Sequence, residues 1–189
     1  MDNVAGSSDK FDFDNQLKVI RSFLPEAKKI GVVYCTAEDN SISQIATLKK
    51  LAPSYGFEVE AMSITLTNEI PTAVDSLISK DVDLFCNLND NTVVGCLDLI
   101  LEKTDAAKIP VFGSEVTQVD NGCLASASLD YFELGKQTGM YMAEILKGKT
   151  VEKGYVITLS ESYLCYNSDV ATKLGIAVPT GLEIKNVKG

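Results

Sequence analysis

Histidine and tryptophan are both absent from this 189-residue chain. Without an imidazole there is no histidine proton relay, no Ser-His-Asp triad, and none of the commonest metal ligand. Without an indole, aromatic stacking falls to Tyr and Phe. Paired cysteines are missing too: Cys35, Cys86, Cys96, Cys123 and Cys165 are scattered with no Cys-x-x-Cys spacing. Zinc sites favour paired spacing and disulfide frameworks an even count. The five therefore read as free thiols on or near buried strands, best suited to a reducing setting, and no metal site is expected. No apolar run is long enough to span a bilayer. Met1-Asp2-Asn3-Val4 has neither a basic n-region nor an apolar h-region, so no secretory signal is expected, and the chain as given would stay cytoplasmic when expressed. Positive charge is scarce, 17 Lys and Arg against 26 Asp and Glu for a net charge of -9, which argues against a nucleic-acid surface.

What is present is ordinary for a globular domain: 46% hydrophobic and 23% charged residues, in a length that suits one sizeable core. Residues 1–14 are polar and read as an extended arm, and residues 15–189 as a single α/β lobe. Asp14 is placed to cap a helix over Asn15–Leu24, whose Leu17, Ile20 and Leu24 recur at helical spacing. Ile30–Tyr34 reads as a buried parallel strand. A helix over Ser41–Tyr55 closes at Gly56, and Val59–Ile64 alternates as a second strand. Glu69–Ile78 reads as helix, Asp83–Leu88 as strand and Thr92–Lys103 as helix. Pro110–Gly113 and Cys123–Ser128 follow as strands and Tyr131–Lys147 as a long helix. Tyr155–Leu159 and Tyr163–Tyr166 are extended, and Ser168–Leu174 is a short helix. Such βα alternation implies a three-layer αβα sandwich on a mostly parallel sheet, in the flavodoxin-like strand order 2-1-3-4-5.

In that order the loops after Tyr34, Cys86 and Phe112 gather at the carboxyl ends of the strands, where open α/β sheets bind ligands. The first offers Tyr34, Thr36, Asn40 and Ser41, with Glu38 and Asp39 between them. The second offers Asn87, Asn89, Asp90, Asn91 and Thr92, and the third Ser114 and Glu115. Helix-starting amides attract carboxylate or phosphate, although Asn40, Ser41 and Asp90 serve equally as plain caps. The acids repel a phosphate and favour an ammonium group. A small zwitterion suits the set: carboxylate on helix amides, amine on Asp90, Glu115 and Glu38. No G-x-G-x-x-G, Walker A or G-x-S-x-G sequence occurs, and no catalytic residue or cofactor is expected.

Several segments resemble one family. They are Lys29-Ile30-Gly31-Val32-Val33-Tyr34, Asn40-Ser41, Asp90-Asn91-Thr92-Val93, the run from Ile109 to Glu115, the run from Tyr131 to Gly139, and Lys173-Leu174-Gly175-Ile176. Together they are similar to ABC-transporter substrate-binding proteins that include tryptophan/tyrosine-binding lipoproteins. The resemblance departs at Cys35-Thr36, where Asn-Pro is usual, and at Glu38-Asp39, where Glu-Ala is usual. It implies the second lobe of a type I periplasmic-binding protein, with residues 3–9 similar to the stretch that crosses between lobes. It further implies no enzymatic activity, an aromatic amino acid as ligand, a membrane permease as partner and an extracytoplasmic location for the full-length member. Without its first lobe, helix 131–147 would expose Leu134, Thr138, Tyr141, Met142 and Ile145. The expectation is that this stripe folds back on its own sheet or pairs with a second copy as a homodimer. Half a cleft should also bind weakly. Two other readings remain open from the sequence: a flavodoxin-like cofactor domain, and a dissected or engineered half-protein acting as a scaffold without ligand.

Overall fold

The computed structural model describes residues 4–151, 154–159 and 162–188. Its elements run β1 (Gly6–Ser7), α1 (Phe13–Phe23), β2 (Lys29–Cys35), α2 (Asp39–Leu51), β3 (Glu58–Ile64), α3 (Ile70–Ile78) and β4 (Leu84–Cys86). They continue with α4 (Asn91–Val94), α5 (Leu97–Ala107), β5 (Val111–Phe112), α6 (Val116–Asp120), β6 (Ala125–Ser128), α7 (Tyr131–Leu146), β7 (Val156–Ile157), β8 (Tyr163–Tyr166), α8 (Ser168–Leu174) and β9 (Lys185–Asn186).

The main sheet is parallel, in the order β3-β2-β4-β5. The strand order continues into β6 through two backbone bonds, Leu124 N–H to the Val111 carbonyl at 2.7 Å and Gly113 N–H to the Ala125 carbonyl at 3.0 Å. This is the expected 2-1-3-4-5 order. β6 then pairs antiparallel with β8, which carries β9 in parallel. Strands buried on both faces must be apolar on both, and β2 shows it. Ile30 and Val32 pack with Leu17, Ile20 and Phe23 of α1 and Leu48 of α2, whereas Val33 and Cys35 pack with Val74 and Leu77 of α3 and Ile100 of α5. The layers are therefore α1 and α2, then the sheet, then α3 and α5.

Several boundaries differ from the sequence reading, and those around α1, α2 and α4–α5 bear on the site. α1 starts at Phe13 and is capped by Asp12, whose Oδ1 accepts from the Asn15 N–H at 3.1 Å; Asp14 instead accepts from the Tyr55 hydroxyl at 2.8 Å. Phe11 and Phe13, at the end of the polar arm, are buried in the core as an edge-to-face pair. α2 starts at Asp39, ahead of Ser41, and ends in a 3-10 turn over Ala52–Tyr55 closed by Gly56 at a φ of 74°. The helix expected over Thr92–Lys103 is two, broken at Gly95–Cys96.

The largest departure is α7. Its stripe does not fold back on the main sheet. Leu134 and Tyr141 pack with Ile157, Ala5, Ile145 and Leu159, on a two-stranded parallel ribbon of β1 and β7. Tyr141 stacks on Tyr155 at 4.5 Å between ring centroids. The arm and the tail thus supply a small platform of their own. Met142 is not in the packed stripe but exposed, as are Phe132 and Leu146.

Candidate functional site

A cleft of about 410 Å³ opens at the carboxyl ends of β2, β4 and β5. Asn40, Ser43, Gln44 and Thr47 line it from α2; Asn89, Asp90, Asn91 and Val94 from the β4–α4 connection and α4; Ser114, Glu115 and Gln118 from the β5–α6 connection and α6. Tyr131 at the start of α7 and residues Ser8–Phe11 and Phe13 complete the wall.

Six of the eleven loop residues singled out in the sequence border this cleft: Asn40, Asn89, Asp90, Asn91, Ser114 and Glu115. The other five are not part of its wall. Tyr34 packs half-buried against the α1–α2 side of the core, and Thr36 bonds the Ile64 carbonyl at the end of β3. Ser41 and Asn87 are buried and Thr92 is half-buried, each bonded within the protein.

The carboxylates carry the main correction. Asp90 is fully buried: its Oδ1 accepts from the Val93 N–H at 2.9 Å, and its Oδ2 accepts from the Cys35 N–H at 2.6 Å and the Ser41 hydroxyl at 2.7 Å. Glu38 accepts from the Asn91 N–H at 2.9 Å, the Thr92 N–H at 2.8 Å and the Thr92 hydroxyl at 2.7 Å. Burial pushes the Glu38 pKa up, but the hydrogen bonds from the Thr92 side chain and the Asn91 and Thr92 backbone outweigh it, so the carboxyl sits below its ordinary value. Three successive amides at the start of α4 are thus taken by the protein's own acids, leaving neither those amides nor these two carboxylates free for a ligand's charges.

Glutamines and asparagines organise the rest. Gln118 Nε2 donates to the Ser114 hydroxyl at 2.7 Å, and Asn87 Nδ2 donates to Gln118 Oε1 at 3.3 Å. Asn40 Nδ2 donates to the Asn89 carbonyl, and the Asn89 N–H donates to Gln44 Oε1 at 3.1 Å. These bonds tie α2, the β4 loop and the β5 loop into one rim. Glu115 makes no side-chain cap to α6 and lines the cleft. Burial first, then the charges of Asp9 and Glu115, raise the Tyr131 phenol above its ordinary pKa.

The sequence reading missed Ser43, Gln44, Thr47, Val94, Gln118, Tyr131 and the wall formed by Ser8–Phe11 and Phe13. Gln44 and Thr47 were within reach of spacing, since they follow Asn40 on the same helix face. Nothing local marks the others. Among the described residues no His/Cys/Asp/Glu group could hold a metal. The cysteines are free, and burial pushes the Cys86 and Cys165 thiols up to about 12.

Residues 1–187 match the family described as ABC transporter substrate binding protein. The chain belongs to that family. It is 34% identical to a tyrosine-binding protein of Clostridioides difficile, over 98% of this chain and 54% of that protein. Among solved structures it is similar to an ABC domain in complex with L-Trp from Streptococcus pneumonia, with a TM-score of 0.84, 30% identity, and coverage of 97% of this chain and 63% of that one. A ligand-free, open substrate-binding protein with adhesive properties from Clostridium difficile gives a TM-score of 0.82 and 34% identity, covering 97% of this chain and 62% of that one. The chain therefore spans about half the length of the curated relative. Its fold is that of periplasmic-binding-protein lobes. Those relatives are substrate-binding proteins rather than enzymes.

Proposed function

We propose that this chain forms one jaw of a solute-binding cleft that takes an amino acid, and an aromatic one in particular. The observation that carries the reading is the convergence of three strand-end loops and Tyr131 on a single polar cleft. A tyrosine-binding relative and a neighbour in complex with L-Trp supply the ligand class. In the cleft, Glu115 is the carboxylate left for an ammonium group. Carboxylate donors come from the start of α2, where no side chain caps the first amides, and from the amides of the rim. In this reading the zwitterion's ammonium group pairs with Glu115, while Glu38 and Asp90 hold the rim rather than the ligand.

In the longer protein the same reading brings a second jaw, a permease partner and an extracytoplasmic site of action. A second copy seated on the exposed Phe132, Met142 and Leu146 of α7 is the accompanying proposal for the chain by itself. Light scattering over a range of concentrations tests it, and a monomer at every concentration contradicts it.

A thermal-shift panel tests the ligand. L-tyrosine and L-tryptophan at saturation should raise the melting point, and a ligand at 100 times Kd stabilises by about 2.7 kcal/mol. A sugar that shifts the protein more than any amino acid would contradict the reading.

A further inference from the structure

We propose that Gln16 is a positioning residue that fixes the Glu115 side of the cleft relative to the Tyr131 side; the inference rests on the cleft being the ligand site. Gln16 lies in α1 and is fully buried. Its Nε2 donates to the Gly113 carbonyl at 3.0 Å, and its Oε1 accepts from the Ala127 N–H at 2.7 Å.

The need for this bridge follows from the sheet. β5 and β6 are bonded through Val111, Gly113, Leu124 and Ala125, and β6 then engages β8 on its other side. Past that point the Gly113 carbonyl and the Ala127 N–H bond to the Gln16 side chain rather than to each other. A buried carbonyl and a buried N–H both need partners, and a primary amide supplies a donor and an acceptor at once. Gln16 occupies the place a further pair of strand residues would fill.

Both ends of the bridge adjoin the cleft. Ser114 and Glu115 follow Gly113 directly, and Ser128-Leu129-Asp130 lead from Ala127 to Tyr131. Gly113 is also pressed from the other side: a Cβ there would lie 2.9 Å from Gln118 Cβ. The Gly113 peptide is thus held between Gln16 and Gln118, and Gln118 in turn bonds Ser114. α1 continues from the Ser8–Phe11 wall, so one side chain links three borders of the cleft.

The test is a nuclear magnetic resonance comparison of the whole chain with its Gln16→Met variant, which keeps the volume and removes both bonds. The Ser114, Glu115 and Tyr131 amide signals should move while those of Asn40 and Gln44 stay, and L-tyrosine should bind about tenfold more weakly. A folded variant with unmoved Ser114, Glu115 and Tyr131 signals overturns the proposal. Should the variant not fold, hydrogen exchange in the unmodified chain decides: the Ala127 amide should be protected like a strand amide, and rapid exchange there overturns the proposal. If the unmodified chain shows no response to L-tyrosine, the ligand reading fails by itself, while the Ser114 and Tyr131 signals still decide the role of Gln16.

Discussion

Glu38 and Asp90 hold Asn91, Thr92 and Val93 at the start of α4, and their chemistry is that of internal caps. Asp90→Ala removes three hydrogen bonds to a buried carboxylate, and bonds to charged groups contribute about 1.5–3 kcal/mol each. Its unfolding free energy, measured by chemical denaturation, should fall by about 3 kcal/mol or more, a loss too large for a residue that only touches ligand. The Glu38 pKa is depressed in the folded state, so its contribution is present above its ordinary value of 4.5 and is lost as pH falls through the lower folded value. Glu38→Gln should therefore flatten the acid limb of a melting-point profile and leave the neutral region lower; an unchanged acid limb contradicts the cap. Thiol labelling gives a further check: half-buried Cys96 should react before Cys35, Cys86, Cys123 and Cys165, which are buried. The residue types at the loops were legible in the sequence, but their partners were not. Glu38 meets Asn91 and Thr92 across more than fifty positions, and no local spacing carries that pairing.

At the scale of elements, strands read well because parallel strands buried on both faces must be short apolar runs, as Ile30–Tyr34 is. Helix ends read less well. Asp12 and Asp14 are both good caps, and only the burial of Phe11 and Phe13 selects Asp12. Periodicity alone carried the helix straight through Gly95, because Val94, Leu97 and Leu101 keep helical spacing across the break. The packing of α7 was missed for a different reason: its apolar stripe and the extended Tyr155–Leu159 were legible, but the pairing of β7 with the two-residue β1 inside the polar arm was not. That platform rests on three buried residues, Leu134, Tyr141 and Ile157, against far larger clusters on the main sheet. α7 should open locally, so hydrogen exchange should release its amides well before those of β2 and β4. Equal protection in α7 and β2 would contradict a separate platform.

For the whole molecule, the αβα sandwich places three loop ends, the arm and the start of α7 around one cleft, and the family supplies the meaning of that placement. A cleft walled from one side covers only part of a ligand, whereas good sites bury about 70–90% of it. Affinity in this chain should therefore be weak but localised. Solved neighbours extend well beyond it, with 63% of the L-Trp complex and 62% of the ligand-free, open substrate-binding protein matched. The most direct test is a residue-resolved resonance titration of the 189-residue chain with L-tyrosine and L-tryptophan. The account predicts saturable shifts at Asn40, Gln44, Asn91, Ser114, Glu115 and Tyr131, with the buried Asp90 amide following only slightly. Shifts centred on the β1–α7–β7 platform, or none at the cleft with either amino acid, would contradict it.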